Sequence, residues 1–162
     1  MIPTLLGHPE LRTFRRVLAA AGLLGDLEER ATARSLASPT QASLMLVVLA
    51  PTDRAFERLG RARIAQLFDR ANIEWLIDLA EDHVANLRDL SASPELRTLS
   101  GNILTLSDAD VVAPFEARVT ERIGTPSGIL LVVDALLSQP ACAAGPSDSA
   151  DSAYAAAHAR QT

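Results

Sequence analysis

The sequence predicts an α+β fold, with helices first and most strands after them. Two short apolar runs, residues 44–50 and 129–133, have the length of buried strands and are bounded by turn residues. Apolar residues recur at helical spacing up to Asn86, and shorter segments separated by turn residues follow it. Because helices and strands do not alternate along the chain, segregated layers are favoured over repeated βαβ units.

Five helices are predicted in the first half. They lie at about residues 9–22, at 26–35, from Asp53 onward, at 61–70 and at 73–84. Pro9 suits the first turn of the first helix, and Gly22 suits its C-terminal end. Asp26 is expected to cap the second helix. The last helix has a stripe that is predicted to face the core and consists of Leu76, Leu79, Ala80 and His83.

The first buried strand is followed directly by a helix start. The apolar run at 44–50 ends at Pro51, and either Thr52 or Asp53 can accept hydrogen bonds from the first free N–H groups of the helix. Phe56 lies on the predicted inner face of that helix, together with Ala55 and Leu59. Thr52, Asp53 and Phe56 are interpreted as residues of a structural motif, because a capped corner explains them without any chemistry.

The second half is predicted to contain short strands. Residues 100–102 indicate a hairpin turn, and residues 115–123 alternate as a half-buried strand does, although Glu121 falls on its apolar face. Residues 129–133 form the second fully buried strand. Asp134 follows this strand and is predicted to accept hydrogen bonds from neighbouring amides, as a further residue of the structural motif.

Composition divides the chain into one domain, residues 1–138, and a tail, residues 139–162. The tail is rich in alanine and serine and nearly free of large apolar side chains, so it is predicted to be disordered. The single cysteine, Cys142, excludes an internal disulfide. The chain has no apolar run of about 18 residues, so no membrane-spanning helix is predicted. Its first residues do not have the pattern of a secretory signal.

The net charge of −5 disfavours nucleic acid as a partner, because nucleic-acid binding depends on basic side chains that neutralise phosphates. All 15 basic residues other than histidine are arginines, and they are scattered along the sequence. The glycines form no phosphate-binding loop, and the histidines lack the spacing of a metal ligand set. The sequence therefore predicts no cofactor, no metal and no catalytic residue.

His83 leaves two interpretations open. An exposed imidazole at this position could act as a general base or a metal ligand. Asp82 is adjacent in sequence but cannot assist it, because consecutive helical residues do not face each other. We therefore expect a buried histidine that is hydrogen-bonded to the backbone and belongs to the structural motif. The acidic residues of the same helix are interpreted as a solvated face, formed by Glu74, Asp78, Glu81 and Asp82.

Three segments of the chain, in the same order, resemble motifs of the fasciclin domain family. They are the strand and helix start at residues 47–56, the Asp82-His83-Val84 sequence, and residues 127–137, which contain a buried strand, an Asp and a leucine pair. The resemblance extends over about residues 3–140. Two positions depart from the family pattern, since Leu131 stands where a histidine is usual and Asp82 stands where an aromatic residue is common.

The resemblance implies a compact wedge, with a β-sandwich-like core flanked by several short N-terminal helices. It implies a non-enzymatic, bacterial-type binding module for cell-surface or extracellular-matrix adhesion, or for protein association. The partner would be a protein or a surface polymer, and the chain a monomer that is secreted, periplasmic or on the cell surface. A cytoplasmic location stays open. Partner contacts are expected in and after the central motif, at His83, Asn86, Arg88 and Asp89.

The alternative is a protein that binds a small apolar ligand, or an enzyme, built on the same fold. A pocket between the helices and the sheet, lined by Phe14, Trp75 and Leu131, would hold an apolar molecule. An open pocket with His83 on its wall would favour this alternative. A filled core around His83 would favour the binding module.

Overall fold

The computed structural model of the chain describes residues 2–36, 45–87, 95–107 and 109–137. The predicted tail, residues 139–162, lies outside these ranges. The α-helices are α1 Ile2–Gly7, α2 Arg12–Ala20, α3 Leu23–Leu36, α4 Asp53–Glu57, α5 Arg61–Leu67 and α6 Ile73–Asp82. The strands are β1 Met45–Pro51, β2 Val84–Leu87, β3 Glu95–Thr98, β4 Ile103–Leu106, β5 Val111–Ala113, β6 Ala117–Thr125 and β7 Gly128–Val133.

The order of these elements confirms the α+β prediction, with differences in detail. Helix α2 begins at Arg12, so Pro9 lies before the helix and not in its first turn. Helix α1 is not predicted, because its six residues are too few to show a helical period. Helix α3 begins at Leu23, so Asp26 lies in its first turn and is not its N-cap. Helix α6 ends at Asp82, and Val84 begins strand β2 instead of ending the helix. An apolar residue at this position fits both patterns, so spacing does not separate them.

The seven strands close into a barrel in chain order. Consecutive strands pair antiparallel, and β1 and β7 close the ring as a parallel pair in which Leu49 lies opposite Leu131. The two apolar runs of the sequence are therefore neighbours in one sheet. The sandwich-like description is not confirmed, since a continuous hydrogen-bonded ring surrounds the core where a sandwich has two stacked sheets.

Two apolar clusters fill the described part of the molecule. Every strand contributes to the inner cluster, inside the barrel, which consists of Val47, Leu49, Ala85, Leu87, Leu96, Leu104, Leu106, Val112, Ala117, Leu131, Val133 and Leu137. The outer cluster joins the helices to the barrel wall, to which the strands contribute Leu46, Val48, Ala50, Val84, Leu130 and Val132. Because β1 and β7 are buried on both faces, their sequences are continuously apolar and do not alternate.

Strand β6 contains a register shift that its sequence pattern does not reveal. Val119 and Glu121 pair with adjacent residues of β7, so Thr120 is an extra residue in β6. A bulge of this kind moves the following side chains to the other face of the strand. Val119 packs against the inner cluster and Ile123 against the outer one. The alternation predicted for residues 115–123 is therefore wrong beyond the bulge.

Replacing Gly128 with alanine is expected to destabilise the closure of the barrel. Gly128 lies opposite Leu46 in the β1–β7 pair and has a φ of 153°. An added Cβ would lie 2.2 Å from the backbone oxygen of Leu46, so the two strands would have to separate. We expect the free energy of unfolding, measured by urea denaturation, to fall by about 3 kcal/mol.

The matched control is Gly124→Ala. Gly124 lies opposite Ile129 in the neighbouring β6–β7 pair, and an added Cβ there meets no atom within 4 Å. The free energy of unfolding is expected to change by less than about 0.5 kcal/mol. Equal losses in the two variants would show that the close approach of β1 to β7 is not what requires glycine.

Candidate functional site

The corner after β1 joins the barrel to the first helices. Thr52 is the N-cap of α4, and its Oγ1 accepts a hydrogen bond from the Ala55 N–H at 3.3 Å. The Asp53 carboxylate accepts the Thr13 N–H at 2.8 Å, and the Asp53 N–H donates to the Glu10 carbonyl at 2.7 Å. Of the two possible caps, Thr52 is the one used, and Asp53 fastens the start of α2 to α4.

Asp134 makes a corresponding contact after β7. Its Oδ1 accepts the Arg118 N–H at 2.8 Å, and its N–H donates to the Arg118 carbonyl at 3.0 Å. The Thr52 N–H donates to the Val133 carbonyl at 3.1 Å, so the two parallel strands stay bonded where they end. Phe56 is buried in the outer cluster. Thr52, Asp53, Phe56 and Asp134 of the predicted structural motif therefore each make a contact that stabilises the fold.

A cleft of about 580 Å³ opens beside this corner. We call it the charged cleft and define it by the residues that line it, which are Pro9, Glu10, Arg12, Thr52, Asp53, Arg54, Arg58, Thr120 and Asp134. These residues come from the α1–α2 loop and the start of α2, the α4 segment, the bulge of β6 and the end of β7. The carboxyl ends of the two parallel strands therefore meet at the charged cleft.

The arginines of the charged cleft lack carboxylate partners among the described residues. The ion pairs found within these residues lie outside the cleft. Arg58 donates one hydrogen bond, from Nη1 to the Asp134 carbonyl at 3.2 Å. Arg12 and Arg54 are exposed, and their side chains have no hydrogen-bond partner within the described ranges. The cleft thus contains guanidinium groups whose donors are available to a ligand.

A histidine–carboxylate contact holds the α1–α2 loop against the barrel. His8 Nε2 lies 3.1 Å from Glu121 Oε2, and His8 Nδ1 accepts the Glu10 N–H at 3.3 Å. Glu121 is the residue that does not fit the predicted apolar face of β6, and the bulge at Thr120 explains its exposed position. The wall of the charged cleft that contains Glu10 is therefore attached to the wall that contains Thr120.

His83 is fully buried at the junction of α6 and β2. Its Nδ1 lies 2.7 Å from the Leu79 carbonyl oxygen, and its Nε2 lies 3.1 Å from the Leu137 backbone nitrogen. Because the Leu137 N–H can only donate, Nε2 is the acceptor and Nδ1 donates its proton to Leu79. The ring also packs against Phe14, with ring centroids 5.6 Å apart. Both nitrogens are bonded to the backbone, as we expect for a buried histidine.

Burial lowers the pKa of His83 from 6.5 to about 4. The hydrogen bond to Leu79 and the charge of Asp82 raise this pKa, but by less than burial lowers it. The imidazole is therefore neutral at neutral pH, which agrees with the tautomer that its two hydrogen bonds require. Protonation of Nε2 would remove the acceptor that holds the Leu137 N–H.

The structure changes the contact surface predicted around His83. A side chain without exposed surface cannot touch a partner, so His83 is removed from that surface. Asn86, another of the predicted contacts, is half-buried in β2 and lies opposite Arg97 of β3. The four residues of β2 are too few to show alternation in the sequence. Arg88 and Asp89 lie outside the described residues, and their contact role stays a prediction.

The sequence predicts that Asp82 belongs to a solvated face. In the structure Asp82 is buried. Its Oδ1 accepts hydrogen bonds from the Ser100 hydroxyl and from Asn102 Nδ2, the latter at 2.8 Å. Both partners lie in the turn between β3 and β4, and the Leu99 N–H of this turn donates to the Val84 carbonyl at 2.8 Å. Asp82 thus fastens the predicted hairpin turn to the end of α6.

The sequence does not predict the charged cleft, because its arginines are ordinary scattered surface residues until the fold brings them together. The only local signal is the pair Thr52 and Asp134, the polar residues that follow the two apolar strands. Within the described ranges, no group of three or more His, Cys, Asp or Glu side chains is arranged to hold a metal ion. The side chains that line the cleft supply hydrogen-bond donors and acceptors and charges of both signs.

The stability of the protein is expected to decrease as the pH falls, through the titration of His83. The unfolded chain binds a proton at this residue near pH 6.5, whereas the folded protein does so near pH 4. The contribution of the neutral ring is therefore complete above about pH 6.5 and is lost as the pH falls towards 4, by about 3 kcal/mol in total. Urea denaturation at pH 7 and pH 4 measures this loss.

The variant His83→Leu provides the comparison, because it lacks the titrating group. It is expected to be less stable than the wild type at pH 7, since the Leu137 N–H loses its acceptor. Between pH 7 and pH 4 it is expected to lose about 3 kcal/mol less than the wild type. The same pH dependence in both proteins would mean that other groups cause it.

Comparison with known proteins agrees with the motifs of the sequence. The fasciclin domain family model matches residues 9–140. Among solved structures, a FAS1 domain pair from the insect cell adhesion molecule fasciclin I matches with 14% sequence identity and a TM-score of 0.49. The match covers 78% of this chain and 44% of that chain, so this chain spans less than half of it. No curated protein matches. Because the family model covers most of its length, the chain belongs to the fasciclin domain family.

Proposed function

We propose that this chain is a non-enzymatic binding module for cell-surface or extracellular-matrix adhesion, or for protein association. Its partner is a protein or a surface polymer, and it acts as a monomer in a secreted, periplasmic or cell-surface location. Membership of the fasciclin family supports this class of function. Within the described residues, no helix has both the length and the apolar character needed to cross a membrane.

The observation that supports a binding module over an enzyme is the filled core around His83. The ring has no exposed surface, Phe14 packs against it, and both nitrogens are bonded to the backbone. A substrate would reach this imidazole only if the junction of α6 and β2 opened. A rigid barrel with exposed loops is well suited to present a binding surface.

The alternative function, binding of a small apolar ligand or catalysis in an apolar pocket, gains no support from the same core. Phe14 belongs to the outer cluster and Leu131 to the inner one, so they lie on opposite sides of the barrel wall. Trp75 packs against the outer cluster, and its buried Nε1 has no hydrogen-bond partner among the described residues. The three residues therefore do not line one pocket, and the cleft beside α4 is charged.

Beads coated with the full chain and incubated with intact cells of the source organism test the proposal. Retention of more cells than on albumin-coated beads is the expected result. A synthetic peptide of residues 138–162 is added in parallel, because the folded part is proposed to carry the binding surface. No retention above albumin, or retention that the free peptide abolishes, would contradict the proposal.

Alanine at both Arg88 and Asp89 tests the proposed contact segment in the same assay. The double variant is expected to retain fewer cells, because charges at the rim of an interface steer association. Alanine at both Arg61 and Asp78, which are exposed on α5 and α6, is the control with the same change in charge. Equal retention by the two double variants would remove the segment from the proposed surface.

A further inference from the structure

The charged cleft contains two guanidinium groups that the described residues leave unpaired. The side chains of Arg12 and Arg54 are exposed, and neither has a hydrogen bond or an ion pair within the described ranges. Each guanidinium presents five N–H donors in one plane, a geometry that matches the oxygens of a carboxylate or a phosphate. The cleft therefore offers donors to an anionic group from outside.

The aspartates of the charged cleft are bonded to the backbone. Asp53 accepts the Thr13 N–H, and Asp134 accepts the Arg118 N–H, each at 2.8 Å. In each case the bond uses Oδ1 and fixes the carboxylate against α2 or β6. Within the described residues neither carboxylate forms an ion pair with an arginine of the cleft, so the cleft presents positive and negative groups as separate contact points.

We propose that the charged cleft binds a peptide segment of a protein partner through a single carboxylate, with Arg12 and Arg54 on an Asp or Glu side chain. This inference rests on the proposed binding function and names the chemistry of its partner. The volume of about 580 Å³ is within the range of ligand sites, roughly 300–1,000 Å³. The contact between His8 and Glu121 keeps two walls of this volume together.

The negative charges in the cleft favour a peptide carboxylate over a phosphate. Glu10, Asp53 and Asp134 line the same volume and repel added negative charge. A phosphate ester carries a charge of about −1.5 to −2 at pH 7, compared with −1 for a carboxylate. A peptide also brings backbone N–H donors, which the exposed Glu10 carboxylate can accept. One acidic side chain flanked by amides therefore fits the cleft better than a polyanion.

NMR titration of the ¹⁵N-labelled full chain with the peptide acetyl-Gly-Gly-Glu-Gly-Gly-amide tests the inference. Saturable shifts are expected for the backbone amides of Thr52, Asp53 and Thr13. The same peptide with Gln in place of Glu is expected to bind at least about tenfold more weakly, because the charge-assisted hydrogen bonds are lost. Inorganic phosphate is expected to bind more weakly than the acidic peptide.

The double variant Arg12→Gln/Arg54→Gln is expected to weaken binding of the acidic peptide at least about tenfold. Its urea midpoint is expected to equal that of the wild type, since both side chains are exposed and unbonded within the described residues. Arg61→Gln/Arg63→Gln removes the same charge from exposed positions of α5 and is expected to change binding by less than about twofold. Equal binding of the Glu and Gln peptides, equal weakening by the two double variants, or tighter binding of phosphate would overturn the inference.

The bead assay separates this inference from the proposed function. Cell retention that the Arg12→Gln/Arg54→Gln variant keeps in full would overturn the cleft as the contact site and leave the binding function standing. Selective binding of the acidic peptide without any cell retention would support the cleft and contradict the adhesion function.

Discussion

The parallel pairing of β1 with β7 is the contact on which the rest of the structure depends. It joins segments from opposite ends of the barrel sequence and closes the ring. Its inner side chains complete the cluster inside the barrel, and its outer side chains form part of the wall on which the helices pack. The pair begins where Gly128 passes close to Leu46 and ends with the hydrogen bond from Thr52 to Val133. Without it, both apolar clusters would lose a side and the helices would lose their support.

The three motifs that identify the family meet through backbone hydrogen bonds. The Thr52 N–H of the first motif donates to the Val133 carbonyl of the third. His83 of the second motif accepts the Leu137 N–H of the third. A polar group that is buried without a partner costs free energy, so a buried imidazole is tolerated here because both of its nitrogens are bonded. The polar residues of the motifs are therefore explained by the contacts that they make between segments of the fold. The guanidinium groups of the charged cleft lie beside these contacts.

Local patterns predict most of the helices and the two buried apolar strands correctly. The capped corner at Thr52 follows from residue types a few positions apart, because a helix cap depends on adjacent backbone groups. The bulge at Thr120, the short strand β2 and the buried Asp82 are missed. Each depends on a partner elsewhere in the sequence. The bulge depends on β7, strand β2 depends on β1 and β3, and the burial of Asp82 depends on the turn at Ser100. A pattern of apolar spacing contains no information about such partners.

The sequence by itself determined most of the helices, the two buried apolar strands, that a helix is capped at Thr52 or Asp53, and that His83 faces inward. Those outcomes depend on side-chain size, polarity and period over a few residues. Only the tertiary structure decided that the sheet closes into a barrel and that Arg12 and Arg54 share a cleft with Asp134. The pairing of β1 with β7 sets the first result and brings the α4 segment and Asp134 to one edge, and the contacts of Asp53 with Glu10 and Thr13 bring Arg12 there. The surroundings of a charged side chain depend on its neighbours in space, and the chain order does not specify them.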